Sequence, residues 1–574
     1  MASSEVPSQN LPLNPREKLF FPGVLALTLL TFASTFTFGW VYDDQPQIPG
    51  NPDLRWDRLG FLFTHHLWAS ASDISSARFY RPLLALWFLI NKTLFGLSPH
   101  WFHVTAVLAH VLATALALFI ARKLLKDTGG ALLAAAIFGV HPLQVESASW
   151  ISSVNDSLAA VFCFVSFLSC KKAPTTQQGA TLWWFLAAVS FLCALLTKEV
   201  AALLPAIVLI DLWFAPDGAA QQPRGRTAMQ IIAVYGALGI VWLLVRQRVL
   251  GQVAASTSSL GWGSAFLTAP KILLFQLSRV ILPTGLSPHY DFAPLNSSAI
   301  PQALLSVCGV VVVAALGVFA ARKFPVLWVA YAWLVFPLLP SLNLRWLNEG
   351  DFVHDRYMYM SMLGVGLMVG AGFAALTRRW PEQRLIPGLA FASVIALAFT
   401  SAIQSQIWAN DVALFSRGVQ IAPQNEWAQL DYGAALSARG KFAEAAPHFV
   451  KSYELKPGWR AADHAGFAFQ NSGDTPQAEH WYTLALKQNP GLADAWFALG
   501  QIRVADQRPA DAVPLFQKAI ALTPTAEGYH YALGAALEQS GSAAAALEAY
   551  RTELQLYPSQ IAARRAMEHL AGTH

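Results

Sequence analysis

The stretch PQALLSVCGVVVVAALGVFA, residues 301–320, contains no charged side chain. About 20 apolar residues in an α-helix cross the hydrocarbon core of a membrane, which is roughly 30 Å thick. A helix satisfies its backbone hydrogen bonds within the segment, as the absence of water in that core requires. The stretch therefore predicts a membrane-spanning helix.

Ten further runs of this kind lie on either side of it. Two weaker segments, near 79–97 and 271–285, contain Asn91, Lys92 and Arg279, and each either spans or lies in the interface. The predicted fold class is all-α, with a polytopic bundle of 11–13 spans followed by a soluble α-solenoid. The eleven runs lie near residues 20–41, 101–121, 131–147, 149–169, 181–197, 199–215, 228–246, 301–320, 325–342, 357–376 and 384–403.

The composition of the 574 residues supports this division. The chain is 55% hydrophobic and 13% charged, whereas a soluble domain carries about 25% charged residues. Residues 1–405 hold 44 Lys, Arg, Asp and Glu side chains, and the much shorter remainder holds 29. We expect a cytoplasmic segment at 1–19, a membrane domain at 20–405 and a soluble domain at 406–574. A disordered chain and an ordinary water-soluble enzyme are excluded, and the net charge of +5 gives no reason to expect nucleic acid.

The orientation follows from the basic residues, which collect in cytoplasmic loops of membrane proteins. Eleven spans with a cytoplasmic amino terminus put five basic groups inside and residues 406–574 outside the cytoplasm. These groups are Arg122/Lys123/Lys126, Lys171/Lys172, Arg224/Arg226, Arg322/Lys323 and Arg378/Arg379.

The soluble part is repetitive. Gly433, Gly466, Gly500 and Gly534 lie 33, 34 and 34 residues apart. A period of about 34 residues is typical of the tetratricopeptide repeat, a pair of helices whose stacked copies form a concave peptide-binding surface. Four repeats are predicted, with a half-repeat over 408–423. The same period recurs at Ala445, Ala478, Ala512 and Ala546, at Phe449, Tyr482, Phe516 and Tyr550, and at Pro457, Pro490, Pro524 and Pro558.

An acidic pair follows the first predicted span. The sequence WVYDD at 40–44 puts Asp43 and Asp44 at the outer mouth of a helix, and the outer loop that follows ends in FYRPL at 79–83. The two carboxylates either mark a helix end in water or belong to a catalytic site.

Charges also occur within or between predicted spans, at Glu146, Asp156, Lys198 and Glu199. A charge inside a span costs about 2.5 kcal/mol or more, so it usually faces a polar cavity or a partner. The alternatives are snorkelling to the surface and structural ion pairs, such as Lys198 with Glu146. His141 is a candidate metal ligand, hydrogen-bonding partner of Glu146 or orienting group, although one His and one Glu do not make a metal site.

The outer loop NEGDFVHDRYMY, residues 348–359, is dense in polar groups between two apolar runs. Its Arg356 is a candidate phosphate ligand because a guanidinium binds phosphate through two parallel hydrogen bonds. Arg81, Arg246 and Arg248 reach the same level, and Tyr357 is a further active-site candidate. Interface anchoring by Arg and Tyr is the alternative.

These features in this order resemble the transmembrane-and-tetratricopeptide-repeat O-mannosyltransferases of the GT-C superfamily. The resemblance rests on the acidic pair, the outer Arg-Pro-Leu, the His-Pro-x-x-x-Glu-Ser turn, the Asp-Arg-Tyr before a span and the appended repeats. It covers nearly the whole chain.

The resemblance implies an inverting transfer of a sugar, with mannose the expected one, from a polyprenyl-phosphate donor to a hydroxyl of an exported protein. It makes Asp43 the general base, with Asp44 as the alternative. Arg356, Arg81 and Lys198 are the expected donor-phosphate ligands. Glu146, Asp156 and Glu199 match acidic positions of the family to which no role is attached.

Two departures from the animal members bear on these expectations. Residues 153–156 read SVND, where those proteins tend to have Gly-Arg-x-Asp, which leaves one donor contact open. The short repeat array is typical of a bacterial homologue, which implies an undecaprenyl-type donor, the inner membrane and periplasmic repeats. No cofactor is implied with certainty, and the use of a divalent cation stays open.

Two other functions are compatible with the sequence. One is a GT-C enzyme that modifies a lipid or glycan instead of a protein. The other is a non-enzymatic membrane anchor whose repeats recruit other proteins.

Overall fold

The computed structural model describes residues 15–69, 79–176, 179–215, 222–251, 260–296 and 299–572. It divides into two compact units, with the boundary between Arg417 and Gly418. The described residues form helices and turns and contain no β-strand. The predicted all-α fold class is therefore confirmed.

The first unit consists of long helices joined by short ones and by 3₁₀ turns. The turns that matter below are Pro142–Gln144, Ile151–Ser153, Glu199–Leu203, Phe336–Leu342 and Asp355–Met358. The α-helices are α1 (Pro15–Phe32), α2 (Asp44–Gln47), α3 (Leu59–Thr64), α4 (Pro82–Phe95), α5 (Pro99–Leu125), α6 (Thr128–Val140), α7 (Val145–Ser149), α8 (Val154–Lys172), α9 (Ala180–Thr197), α10 (Leu204–Phe214), α11 (Arg224–Leu250), α12 (Trp262–Ile281), α13 (Ile300–Lys323), α14 (Val326–Val335), α15 (Ser361–Arg379) and α16 (Leu385–Ser405).

Nine helical segments in the described ranges are long and apolar enough to cross a membrane. Segments of this number and length make the unit a multi-pass membrane protein. The weaker segment near 271–285 overlaps one of them, Trp262–Ile281, whose helix begins nine residues earlier and ends four residues earlier than the sequence indicated. The nine are Phe20–Thr37, Pro99–Leu125, Ile151–Thr175, Ala180–Thr197, Arg224–Leu250, Trp262–Ile281, Ile300–Lys323, Ser361–Arg379 and Leu385–Ala409.

Three of the eleven predicted spans are not single helices. The run 131–147 is broken into two helices bent by 50°, because Pro142 lacks the N–H that would continue the first helix. The run 199–215 is a 3₁₀ turn followed by the 11 residues of α10, too short to cross alone. The run 325–342 changes from α14 to a 3₁₀ turn that contains Pro337 and Pro340.

Glycines bring α6 and α15 into backbone contact. A Cβ atom at Gly366 would lie 2.5 Å from the carbonyl oxygen of Ala134, so a larger residue would force the helices apart. Helix α6 leads into the Pro142–Gln144 turn and α7, whereas α15 follows the Asp355–Met358 turn. The close packing of these two helices therefore brings Glu146 next to Arg356.

A buried polar network fixes the start of α15. The Tyr359 hydroxyl lies 2.7 Å from His110 Nδ1 and accepts a hydrogen bond of 3.0 Å from Ser157 Oγ. The other ring nitrogen of His110 lies 2.9 Å from the carbonyl oxygen of Gly139. Because buried polar groups need partners, this network ties three helices to the turn that carries Arg356.

The remaining helices follow the predicted repeat. Helices α18 to α25 form four consecutive pairs, and each proline of the repeat lies two residues beyond the second helix of its pair. The bounds are α17 (Asp411–Ile421), α18 (Glu426–Ser437), α19 (Phe442–Leu455), α20 (Trp459–Ser472), α21 (Thr475–Gln488), α22 (Ala493–Ala505), α23 (Pro509–Leu522), α24 (Tyr529–Gln539), α25 (Ala543–Leu556) and α26 (Ile561–Gly572).

The regular spacing of glycine and aromatic residues in the repeats has a packing explanation. In each pair the glycine of the first helix lies under the ring of the second, and a Cβ at Gly500 would be 2.5 Å from Phe516 Cε1. Gly466 and Tyr482 show the same contact at 2.7 Å. The glycine is required because the ring occupies the space of its missing side chain.

Candidate active site

The membrane unit encloses a cavity of about 540 Å³. Its apolar wall includes Leu203, Leu243, Pro337, Leu339 and Met360. Among the described residues, seven charged side chains also line it. They are Asp43, Arg81, Asp156, Lys198, Glu199, Arg246 and Arg356. The structure thus brings together residues from six separate parts of the sequence, and Tyr357 lines the same cavity.

The two adjacent aspartates have different environments. Asp44 is fully buried, and its carboxylate accepts hydrogen bonds from Ser152 N (2.9 Å), Ser152 Oγ (2.6 Å) and Val41 N (3.1 Å). Burial raises the pKa of Asp44 to about 7, in spite of these hydrogen bonds. Asp43 lines the cavity instead. Of the pair, only Asp43 reaches the space where a substrate would lie.

Arg356 is anchored by Glu146. Its Nη1 donates to Glu146 Oε1 at 2.5 Å, and its backbone N–H donates to Oε2 at 3.0 Å. The guanidinium carbon lies 5.1 Å from the centroid of the Trp150 ring. Although burial opposes its charge, the Glu146 carboxylate holds the pKa of Arg356 above its ordinary value. The guanidinium is therefore a fixed cation at the cavity wall.

Arg81 is held in a similar way by Glu199. Its Nη2 and Nε donate to the two carboxylate oxygens at 2.7 and 3.2 Å, which is the two-pronged geometry that suits a guanidinium. Arg81 directly precedes Pro82, the first residue of α4, a position that proline favours. The pair links the end of the outer loop to the turn at Glu199.

Lys198 pairs with Asp156, not with Glu146. The distance from Lys198 Nζ to Asp156 Oδ1 is 2.5 Å, and Ser153 Oγ donates to Asp156 Oδ2 at 3.1 Å. The suggested pair of Lys198 with Glu146 is wrong, because Glu146 is engaged by Arg356.

His141 is not the hydrogen-bonding partner of Glu146. Its Nε2 lies 3.1 Å from the carbonyl oxygen of Val280, and its Nδ1 accepts from the backbone N–H of Leu143 at 3.2 Å. The imidazole therefore caps the turn after α6. The histidine near Glu146 is His354, whose Nδ1 lies 3.9 Å from Oε1.

Several residues of this region were not singled out from the sequence. Ser152 holds Asp44, Trp150 faces Arg356, and the Tyr290 hydroxyl donates to both Asp355 oxygens at 2.8 and 3.0 Å. Burial, together with the charge of Glu146, raises the pKa of Asp355 to about 8. Ser and Trp are too frequent in this chain for their type alone to mark them, but the polar density of 348–359 pointed to the Asp355 neighbourhood.

A metal site has no ligand set in the described ranges. No group of three or more His, Cys, Asp or Glu side chains there is placed to hold a metal ion. Three cations at the cavity, Arg81, Lys198 and Arg356, are each paired with a carboxylate.

Comparisons with known proteins found a matching family model and similar curated proteins. A family model for the tetratricopeptide repeat matches residues 465–527 and 507–561. Human protein O-mannosyl-transferase TMTC1 is 27% identical over 494 residues, which covers 75% of this chain and 55% of the relative. Mouse protein O-mannosyl-transferase TMTC3 is 23% identical over 590 residues, covering 93% and 63%.

A solved structure of a MamA protein is 19% identical, with a TM-score of 0.25, and covers 26% of this chain and 82% of its own. The chain spans less than two thirds of the length of the curated relatives named above. By sequence the chain is similar to the TMTC protein O-mannosyl-transferases, and it carries tetratricopeptide repeats towards its carboxyl end.

Proposed function

We propose that this chain is an integral-membrane glycosyltransferase that moves mannose from a polyprenyl-phosphate donor to a Ser or Thr hydroxyl of an exported protein. The observation that carries the proposal is the cavity, where Asp43 shares one space with several anchored cations and an apolar wall. The names of the relatives supply the sugar and the type of acceptor.

Asp43 acts as the general base. An acceptor hydroxyl must lose its proton as its oxygen attacks the anomeric carbon, and a carboxylate within hydrogen-bond reach takes that proton. The bond from the anomeric carbon to the phosphate oxygen breaks on the opposite side, so the configuration inverts. Asp44 does not suit this role because its oxygens are already engaged by Ser152 and Val41.

Arg356, Arg81 and Lys198 bind the leaving phosphate. Each is held by a carboxylate, in the pairs with Glu146, Glu199 and Asp156. Cations that are fixed before the reaction stabilise developing negative charge without the cost of reorganisation. The three cations therefore stabilise the polyprenyl phosphate as its bond to the sugar breaks.

The apolar wall receives the polyprenyl chain. Residues such as Leu203, Leu243 and Leu339 line the cavity beside the charged groups. A lipid-linked donor needs a polar place for its phosphate next to an apolar place for its hydrocarbon, and one cavity offers both.

The acceptor is an exported polypeptide, bound with the help of the repeats. Tetratricopeptide arrays present a concave surface to extended peptides. The distribution of Lys and Arg supports a position of the cavity and the repeats on the non-cytoplasmic face, which in a bacterium is the periplasmic side of the inner membrane.

The test is transfer of radiolabel by the purified protein in lipid nanodiscs. Polyprenyl-phosphate [³H]mannose is supplied with Ser/Thr-rich peptides, and the label is followed into peptide, lipid and glycan fractions. We expect alkali-labile label in peptide with inverted anomeric configuration. Label confined to lipid or glycan would instead support the glycan-modifying alternative, and no transfer from any polyprenyl-phosphate sugar would overturn the proposal.

A further inference from the structure

Tyr42, the residue before Asp43, has an unusual backbone conformation. Its φ is +53°, in the left-handed region. Among the described residues, only Lys126 and Gln507 are other non-glycine examples, and Lys126 is the C-cap of α5. A bulky residue in this region costs of order 1–3 kcal/mol and persists only where the surroundings hold it. Contacts with other residues must therefore hold Tyr42 in this conformation.

Two of the residues that contact Tyr42, Asp411 and Phe415, come from the carboxyl-terminal end of the membrane unit. The Tyr42 N–H donates to Asp411 Oδ1 at 2.7 Å. Its ring lies 5.4 Å from the Phe415 ring, edge to face, and 5.4 Å from that of Trp150. Trp150 is in turn stacked on Trp408, with centroids 5.6 Å apart and planes at 18°.

Trp408, Asp411 and Phe415 thus form one contact surface, which we name the clasp. The clasp begins at Trp408, in the last turn of the Leu385–Ala409 span, and continues into α17, which directly precedes the repeats in sequence. It contacts the catalytic loop 369 positions away in the chain. No feature of the sequence marked these three residues as part of the site.

We propose that Asp411 is a positioning residue for Asp43 and that the clasp keeps the 41–44 loop in its reactive conformation. The proposal rests on the proposed function, in which Asp43 is the base. Two anchors flank Asp43: the clasp holds Tyr42 on one side, and Ser152 holds Asp44 on the other. The backbone on both sides of Asp43 is therefore fixed.

The geometry explains why release of one anchor would matter. If the Tyr42 N–H loses its acceptor, the residue gains by relaxing to negative φ, and that rotation redirects the peptide that leads into Asp43. A misplacement of about 1 Å at a reacting group can cost on the order of 100-fold in rate. Binding of the donor would change little, because the phosphate ligands belong to other segments.

The test uses three variants of the full chain in nanodiscs. Asp411→Ala removes the acceptor, and Asp411→Asn keeps an acceptor oxygen. Asn410→Ala is the matched control: Asn410 Oδ1 accepts from Ala413 N at the start of α17, so this change weakens the same helix without touching Tyr42.

Two readouts are measured, and the first does not depend on activity. Hydrogen–deuterium exchange of peptides that cover 38–48 should rise in Asp411→Ala and stay at the wild-type level in Asn410→Ala. In the transfer assay, Asp411→Ala should lower kcat by about 10- to 100-fold with donor KM changed less than about 3-fold. Asp411→Asn should lose less than Asp411→Ala does.

Unchanged exchange at 38–48 in Asp411→Ala would overturn the proposal whether or not the wild type transfers sugar. Equal losses of kcat in Asp411→Ala and Asn410→Ala would also overturn it, because the effect would then come from helix stability. If the wild type is inactive but the exchange differs as expected, the clasp is supported as a structural anchor and the proposed function is what fails.

Discussion

The two units of this protein use charge in opposite ways. In the repeats, several ion pairs join exposed residues only three apart, as in Lys441 with Glu444 and Arg508 with Asp511. The partners of the second pair are 59% and 50% exposed. In the membrane unit, pairs such as Arg356 with Glu146 join distant parts of the chain, and the Glu146 side chain is only 3% exposed.

The difference concerns what water contributes. An exposed pair is worth about 0–1 kcal/mol because water solvates either charge when the other is removed. A buried pair has lost that solvation, so removal of one partner leaves a charge with no compensation. Charge in the repeats is therefore replaceable, whereas each charge at the cavity depends on its partner.

The largest expected contrast is between two aspartates. Asp43→Asn should lower sugar transfer by about 10²–10⁴-fold, the usual contribution of a general base. Asp511→Asn, on the repeat surface, should leave transfer unchanged. Rates are compared in the radiolabel assay at equal amounts of inserted protein, and full activity of Asp43→Asn would transfer the role to another group.

A second contrast compares two Arg–Glu pairs. Glu146→Gln should destabilise the membrane unit by about 3 kcal/mol, because Arg356 then lacks its anion, and it should weaken donor binding. Glu479→Gln breaks the Arg503 pair, in which Glu479 is 37% exposed, and should cost less than about 1 kcal/mol. Thermal unfolding of both variants measures this, and equal shifts would contradict the contrast.

The third prediction concerns pH. The pKa of Asp44 is about 7 in the fold against 3.8 for a free side chain. The folded state therefore binds more protons between these values, so stability should fall as pH rises from about 4 to 7, by at most about 1.4 kcal/mol per pH unit.

Melting temperatures between pH 4 and 8 measure this dependence. Asp44→Asn should flatten the profile relative to wild type. Asp511→Asn, on the surface of α23, should keep the wild-type slope. A profile in Asp44→Asn as steep as that of wild type would assign the slope to other groups.

The smallest effect is expected in the repeats. Gly500→Ala puts a Cβ 2.5 Å from the Phe516 ring and should cost about 1–2 kcal/mol through overpacking. The control is Gly458→Ala, where the nearest atom to a new Cβ is 3.8 Å away. Hydrogen exchange of the repeats should show lower stability in Gly500→Ala than in Gly458→Ala. Sugar transfer to a short acceptor peptide should be unchanged in both variants.

Sequence reasoning worked best where structure is local. The repeat period predicted four helix pairs because a glycine and an aromatic ring, such as Gly500 and Phe516, must meet in every copy. This requirement places the same residue types at regular intervals in the sequence. Long apolar runs predicted most spans for the same reason. The apolar run 131–147 is two helices in the structure. The sequence pattern did not indicate the break at Pro142 because apolar residues lie on both sides of it.

The candidate site could be named only as a set of residues. Asp43, Arg81 and Arg356 were singled out by charge in apolar surroundings, but which carboxylate pairs with which cation was not predicted. Lys198 was matched to Glu146 on type alone, although Asp156 is its partner. Asp411 carried no local signal, because one carboxylate after a span resembles any other.

The sequence by itself determined a multi-pass helical unit, a repeat array and a short set of membrane charges, because hydropathy and periodicity act along the chain. Only the tertiary structure decided which aspartate of the pair faces the cavity, which carboxylate anchors which cation, and what holds Tyr42 at positive φ. Those outcomes depend on contacts between segments as distant as α6 and α15 or the 41–44 loop and Asp411. Such contacts are set by the packing of whole helices, which no local pattern records.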